Sequence, residues 1–205
     1  LGHLPKNAFT SIAVSDDARK RLFSVDGDVA ALTEVMRGWL TRHKRWRSKI
    51  YLAGESYGTT RGAALADALQ HANVALAGLV LVSCAMDLQS IVFSPRNDLP
   101  YALFLPAFAG VAQFHGRLGG ALAASPQAAR NAAEAFVADD YLRALHAGAG
   151  LSGSQRRHIA QRLSELTGLP QALVEEKNLR ISDQTFFFEL LRESGRMVGR
   201  LDARA

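Results

Sequence analysis

The order strand, helix, strand, then several amphipathic segments with clear starts and stops, predicts an α/β protein. It would be a piece of parallel sheet followed by a mostly helical region. Two observations carry the first half. "KIYLAG" (Lys49 to Gly54) reads as a short strand, and "ALAGLVLVSC" (Ala75 to Cys84) is a continuous apolar, β-branched run of the kind expected for a strand covered on both faces. Between them, residues 57–71 are small or helix-forming, so the two strands should pair in parallel through a right-handed crossover. A third observation is composition: 205 residues, 48% hydrophobic and 21% charged, are globular rather than disordered and long enough to bury a core.

Taken in order, the first element is a helix from Asp28 to His43. Its apolar residues Val29, Leu32, Val35, Met36 and Leu40 recur at helical spacing, with Asp28 as the expected N-cap and Arg42, His43 and Lys44 at the negative end of the dipole. The two strands and their helix follow. From Met86 to about Gly120 the chain is rich in Pro, Phe and Gly and shows no period. "SPQAARNAAEAFVADDYLRALHAG" then opens with Ser125 as N-cap and Pro126 at the first helical position. "SGSQRRHIAQRLSELTGLP" aligns Ile159, Leu163 and Leu166 and stops at Gly168 and Pro170, and "SDQTFFFELLRESG" runs from Ser182 to Gly195. The expected division is a sheet-bearing segment over 1–86 and a helical region over 87–205.

Several function classes are excluded or weakened. The one cysteine, Cys84, permits no intrachain disulfide and leaves the redox compartment open. The most apolar window, Leu99 to Phe114, carries two prolines and is shorter than the roughly 20 residues of a membrane span, so no span is expected. No Cys/His spacing suggests a metal site, and neither a phosphate-binding loop nor a dinucleotide fingerprint is present, so no cofactor is expected. The net charge of +5 and pI near 9.7 include a basic run, "RHKRWRSK" (Arg42 to Lys49). Its place between a helix end and a strand reads as solvated cations rather than a nucleic-acid surface. "TFFFELL" (Thr185 to Leu191) reads as core or interface, with a pocket lining as the alternative. The first residues carry no signal-like apolar stretch, and both ends read as cuts through a longer protein.

The chemistry concentrates in "GESYG", Gly54 to Gly58. A Gly-x-Ser-x-Gly match alone is weak, but here a strand precedes it and a helix follows at once. That is the context of a nucleophile elbow, where a serine sits in strained backbone on a sharp turn. Gly54 and Gly58 lack Cβ atoms that would clash as strand and helix close, and Gly62 lets the helix lie near the sheet. A serine hydroxyl needs a base and a prepared oxyanion site. The N–H of Tyr57 would be one oxyanion donor, aided by the helix N-terminus.

These residues resemble the nucleophile signature of the serine carboxypeptidases, a family of α/β-hydrolases. The likeness extends over "SVDGDVAALTEVMRGWLTRH", "KIYLAGESYGTTRGAAL" and "GLVLVSCAMDLQSIVFSPRNDLPYALFLPAFAGVAQFHGRL", and from about Phe23 to the end. It implies a partial α/β-hydrolase fold followed by a helical cap, with Ser56 as acyl-forming nucleophile and the Tyr57 N–H in the oxyanion site. Glu55 would bind the terminal carboxylate of a peptide with a free C-terminus, sharing a proton with a second carboxyl group. The lack of disulfides favours a bacterial type, and the resemblance favours a periplasmic or secreted setting; oligomeric state is left open. The triad Asp and His are expected downstream of this chain, and a second oxyanion loop upstream, so the chain by itself is expected to be inactive. Asp87 is not the family's acid, and His115, His146 and His158 read as surface or packing residues. An esterase or lipase on the same fold, or a non-catalytic binding module, remains the alternative.

Overall fold

The computed structural model describes residue 16, residue 18 and residues 22–205. It is mostly helical with a small parallel sheet, a mixed α/β architecture. The chain divides into two compact units, one ending at Met86 and the other beginning at Asp87.

In the first unit, helix α1 (Val25–Arg42) starts three residues before the sequence pattern suggests. Ser24, not Asp28, is its N-cap: the Ser24 hydroxyl accepts the Gly27 N–H at 3.0 Å. Asp28 is buried inside the first turn and is taken by Arg61 of the next helix. A carboxylate with a cationic partner is more useful there than at the cap, which a serine fills equally well. Strand β1 (Tyr51–Glu55), helix α2 (Tyr57–His71) and strand β2 (Gly78–Val82) complete the βαβ unit. The strands are parallel and in register from Tyr51 opposite Gly78 to Glu55 opposite Val82.

Side chains alternate across a strand, which gives the sheet two different faces. Leu52, Leu79 and Leu81 share the face turned to α2. There a Cβ on Gly62 would stand 3.6 Å from Leu79 and 3.8 Å from Leu81, ordinary contact distances. The helix therefore lies close to the sheet, yet an alanine would fit. Val29 and Leu40 of α1 pack with Leu65, Leu69 and Val74 to form the core of the unit. The opposite face is bare: Tyr51, Val80 and Val82 are 64%, 52% and 49% exposed. The expectation that β2 is covered on both faces therefore fails for the described residues, where helices pack on one side only.

The second unit is helical. Its helices are α3 (Leu99–Phe114), α4 (Pro126–Phe136), α5 (Leu142–Ala147), α6 (Gly153–Thr167), α7 (Gln171–Glu176) and α8 (Asp183–Glu189). Helix α3 falls in the stretch whose sequence shows no period. It is apolar on nearly every side, and a helix without a polar face leaves no periodicity to read. Capping follows the sequence closely elsewhere. Ser125 accepts from the Ala128 N–H, Ser152 and Gln155 form a reciprocal capping box, and Ser182 accepts from the Thr185 N–H. Gly168 ends α6 at φ 70°, with a Cβ there only 2.7 Å from that of Arg117.

A π-helical turn, Val137–Tyr141, joins α4 to α5. The wider turn lets residues five apart face the same side, so Phe136 and Tyr141 both enter the core and stack with centroids 5.7 Å apart. The Tyr141 hydroxyl donates to the Leu179 carbonyl at 2.6 Å, and burial pushes its phenol far above the usual range. Arg180 grips Asp98 at the start of α3 with two bonds of 2.7 and 2.8 Å. The aromatic cluster of α8 divides: Phe186 is fully buried and stacked on Phe108 at 4.3 Å, whereas Phe188 is 56% exposed.

Candidate nucleophile elbow

Ser56 sits between β1 and α2 with φ 56° and ψ −123°. This is a region that residues with a Cβ seldom enter, and holding one there costs about 1–3 kcal/mol. The local sequence makes the turn sterically open. A Cβ on Gly54 would lie 2.0 Å from the Gly58 carbonyl oxygen and 2.5 Å from its carbon, so only glycine fits at the end of this strand. Gly58 is different. Nothing lies within 4 Å of a Cβ there, so the expected clash is absent: the position points into open space.

The strained turn is held by a small hydrogen-bond set. The Ser56 N–H donates to Val82 O at 3.0 Å, which ties the turn to the end of β2. The Ser56 carbonyl accepts twice from Thr59, from its N–H at 2.9 Å and its hydroxyl at 2.7 Å. The same hydroxyl accepts the Ala85 N–H at 2.9 Å, and Thr60 donates to the Ala85 carbonyl. Thr59 is fully buried. Sequence reasoning missed both threonines; the available signal was the "TT" pair at the start of a helix, where hydroxyls commonly bond back to carbonyls.

The Ser56 side chain itself is left free. It is exposed and makes no capping bond to α2. The Tyr57 N–H is the first of the helix and has no acceptor among the described residues, so it stands ready for a ligand oxygen. The first turn of α2 carries no acidic residue, which leaves the positive end of the helix dipole uncompensated. Beneath this turn lies a charged pair. The Arg61 guanidinium donates to Asp28 and stands 5.2 Å over the Tyr57 ring. The Tyr57 hydroxyl is enclosed without a hydrogen-bond partner among the described residues. Burial raises its pKa, Asp28 adds to the rise and Arg61 opposes it.

Glu55 is the last residue of β1, beside Ser56, on the bare face of the sheet. It is exposed, and among the described residues its carboxylate has no hydrogen-bond or ion-pair partner. The three sequence-predicted residues are thus consecutive at one strand-to-helix turn, which places Glu55, Ser56 and the Tyr57 N–H together.

A base is a different matter. His71 ends α2, about 22 Å along the helix from Ser56. His43 lies about 22 Å along α1 from Asp28, whose partner Arg61 is near the elbow. Neither reaches Ser56, and His3 lies outside the described residues. In the second unit, His115 Nε2 is 2.7 Å from the Ala203 carbonyl, and His146 and His158 are exposed. Asp87 caps a short turn by accepting the Gln89 N–H.

The described residues contain no group of three or more His, Cys, Asp or Glu able to hold a metal, and no helix long and apolar enough to cross a membrane. Compared with protein-family models, with curated proteins and with solved structures, the chain matches none.

Proposed function

We propose that the chain carries the nucleophile elbow of a serine-type hydrolase of the α/β-hydrolase kind, and that its substrate is a peptide with a free C-terminus. The observation that carries this reading is the backbone of Ser56: a positive φ on a non-glycine residue at a strand-to-helix turn, side chain free and exposed. Ordinary turns relieve such strain with glycine or asparagine. A serine kept there is best accounted for by a hydroxyl that has to project from the turn.

In this reading Ser56 Oγ attacks the scissile carbonyl, and its proton passes to a base. The oxyanion accepts from the Tyr57 N–H, and the acyl-enzyme is then hydrolysed. The described residues of the first unit offer no histidine for that base, so the proposal requires one from elsewhere in the protein. Glu55 is free to share one proton in a hydrogen bond with a substrate's terminal carboxylate, which places the activity on the acid side. The resemblance to serine carboxypeptidases supports the peptidase reading over an esterase or lipase, and over a binding module with no turnover.

The test uses the protein expressed from its complete reading frame. Peptides with free C-termini should be cleaved and their amidated counterparts spared, with Ser56→Ala abolishing turnover. Glu55→Gln should lose rate on free C-termini, chiefly at acid pH, where the native pair shares a proton. Equal rates on free and amidated peptides would show that Glu55 does not read the terminal carboxylate, and full activity in Ser56→Ala would end the proposal.

A further inference from the structure

The hydrogen bonds around the elbow converge on a single hydroxyl. We infer that Thr59 is a positioning residue for Ser56, holding the nucleophile turn and the loop after β2 in one fixed relation. The inference rests on reading Ser56 as the nucleophile.

Three features of the geometry carry it. The Thr59 hydroxyl uses both of its capacities at once, donating to Ser56 O at 2.7 Å and accepting from Ala85 N–H at 2.9 Å. It is the one side chain among the described residues that bonds to both segments, and it is fully buried, so water cannot replace either bond. The two segments it joins are both strained. Ser56 has φ 56° and Ser83, just after β2, has φ 52°. Neither is glycine, and neither conformation persists without surroundings that enforce it. The Ser56 N–H to Val82 O bond lies between these two strained residues, so the turn and the loop close on each other. Thr60 reinforces the loop side alone, through the Ala85 carbonyl.

The consequence concerns the oxyanion site. The Tyr57 N–H direction is set by the peptide plane between Ser56 and Tyr57, and the oxygen of that plane is the Ser56 carbonyl that Thr59 holds. Thr59 therefore aims the oxyanion donor through the carbonyl on the other side of the same peptide. It touches no substrate in this arrangement. Serine at 59 retains the hydroxyl, while valine keeps the shape and removes it.

Amide hydrogen exchange on the 205-residue chain, resolved residue by residue, tests this without reference to turnover. In Thr59→Val the Ser56 and Ala85 amides are expected to exchange at least tenfold faster than in the wild type. Interior α2 amides such as those of Leu65 and Leu69 should keep their wild-type rates. Thr59→Ser should restore protection at Ser56 and Ala85 to within twofold. Wild-type exchange at both amides in Thr59→Val would overturn the inference, as would equal loss in Thr59→Ser. Should Thr59→Val fail to fold, Thr59→Ala offers the same loss of hydroxyl with better helix propensity, and the same two amides decide. Failure of the nucleophile reading looks different: Ser56 would resist a phosphonate probe in the complete protein while its amide stayed protected.

Discussion

The two units of this chain are built on opposite terms. The second unit buries an extensive apolar core drawn from all of its longer helices, with Phe108, Leu163, Leu166, Val174 and Phe186 almost inaccessible. In the first, the buried cluster among the described residues is Val29, Leu40, Leu65, Leu69 and Val74, and one face of the sheet is open. Yet the first unit holds the strained serine. Its geometry is maintained by directional bonds with Thr59 and Val82 rather than by the weight of apolar burial. The lesson is that fixing one turn needs a few well-placed partners, whereas fixing a helix bundle needs volume.

Substitutions can sharpen this contrast, beginning with the largest effect. Phe186→Ala removes a fully buried ring stacked on Phe108, and should cost about 3–5 kcal/mol in the urea transition of the second unit. A loss below 1 kcal/mol would mean that the core collapses to fill the void. Gly54→Ala comes next. Its new Cβ meets backbone atoms that cannot rotate away, and a destabilisation of about 3 kcal/mol, at the upper end of overpacking costs, is expected by the same measurement. Gly58→Ala, four residues on, should do the reverse. With open space at the Cβ and a helical backbone, a gain of about 0.5 kcal/mol is expected. If both glycines proved equally intolerant, the account of the turn would be wrong.

Those two glycines also show how far the sequence was legible. "GESYG" between a strand-like run and helix-like residues located the turn, the free serine and the helix N-terminus, because steric rules at glycine and serine are local. Which glycine is obligatory was not legible, since that depends on where the returning helix places the Gly58 carbonyl. The cap at Ser125 and the helix start at Ser182 were legible for the same local reason. Helix α3 was not, because apolar residues on nearly every side erase the period, and neither was the burial of Asp28, which is set by Arg61 thirty-three residues away. The apolar run of β2 did report a strand, but it overstated the cover on it.

Two smaller effects belong to the second unit. Tyr141→Phe leaves the buried Leu179 carbonyl without its donor, and a loss of about 1–2 kcal/mol is expected from denaturant unfolding. Glu165 is held below its ordinary carboxylate pKa chiefly by the hydrogen bond from Arg162. A lowered folded-state pKa gives stability that is present above the unfolded value near 4.5 and fades as pH falls through the folded one. Because the pair is largely solvated, Glu165→Gln should cost only about 0.3–0.5 kcal/mol at neutral pH, and nothing at pH 2. An undiminished difference at pH 2 would assign the effect to packing.

The claim on which the rest depends is that Ser56 is a nucleophile. A fluorophosphonate probe applied to the protein from its complete reading frame, followed by peptide mass spectrometry, tests it most directly. The account predicts one adduct, on Ser56 in the peptide containing "GESYG", and none in Ser56→Ala. An adduct at another serine, or a folded protein that stays unlabelled, would contradict it.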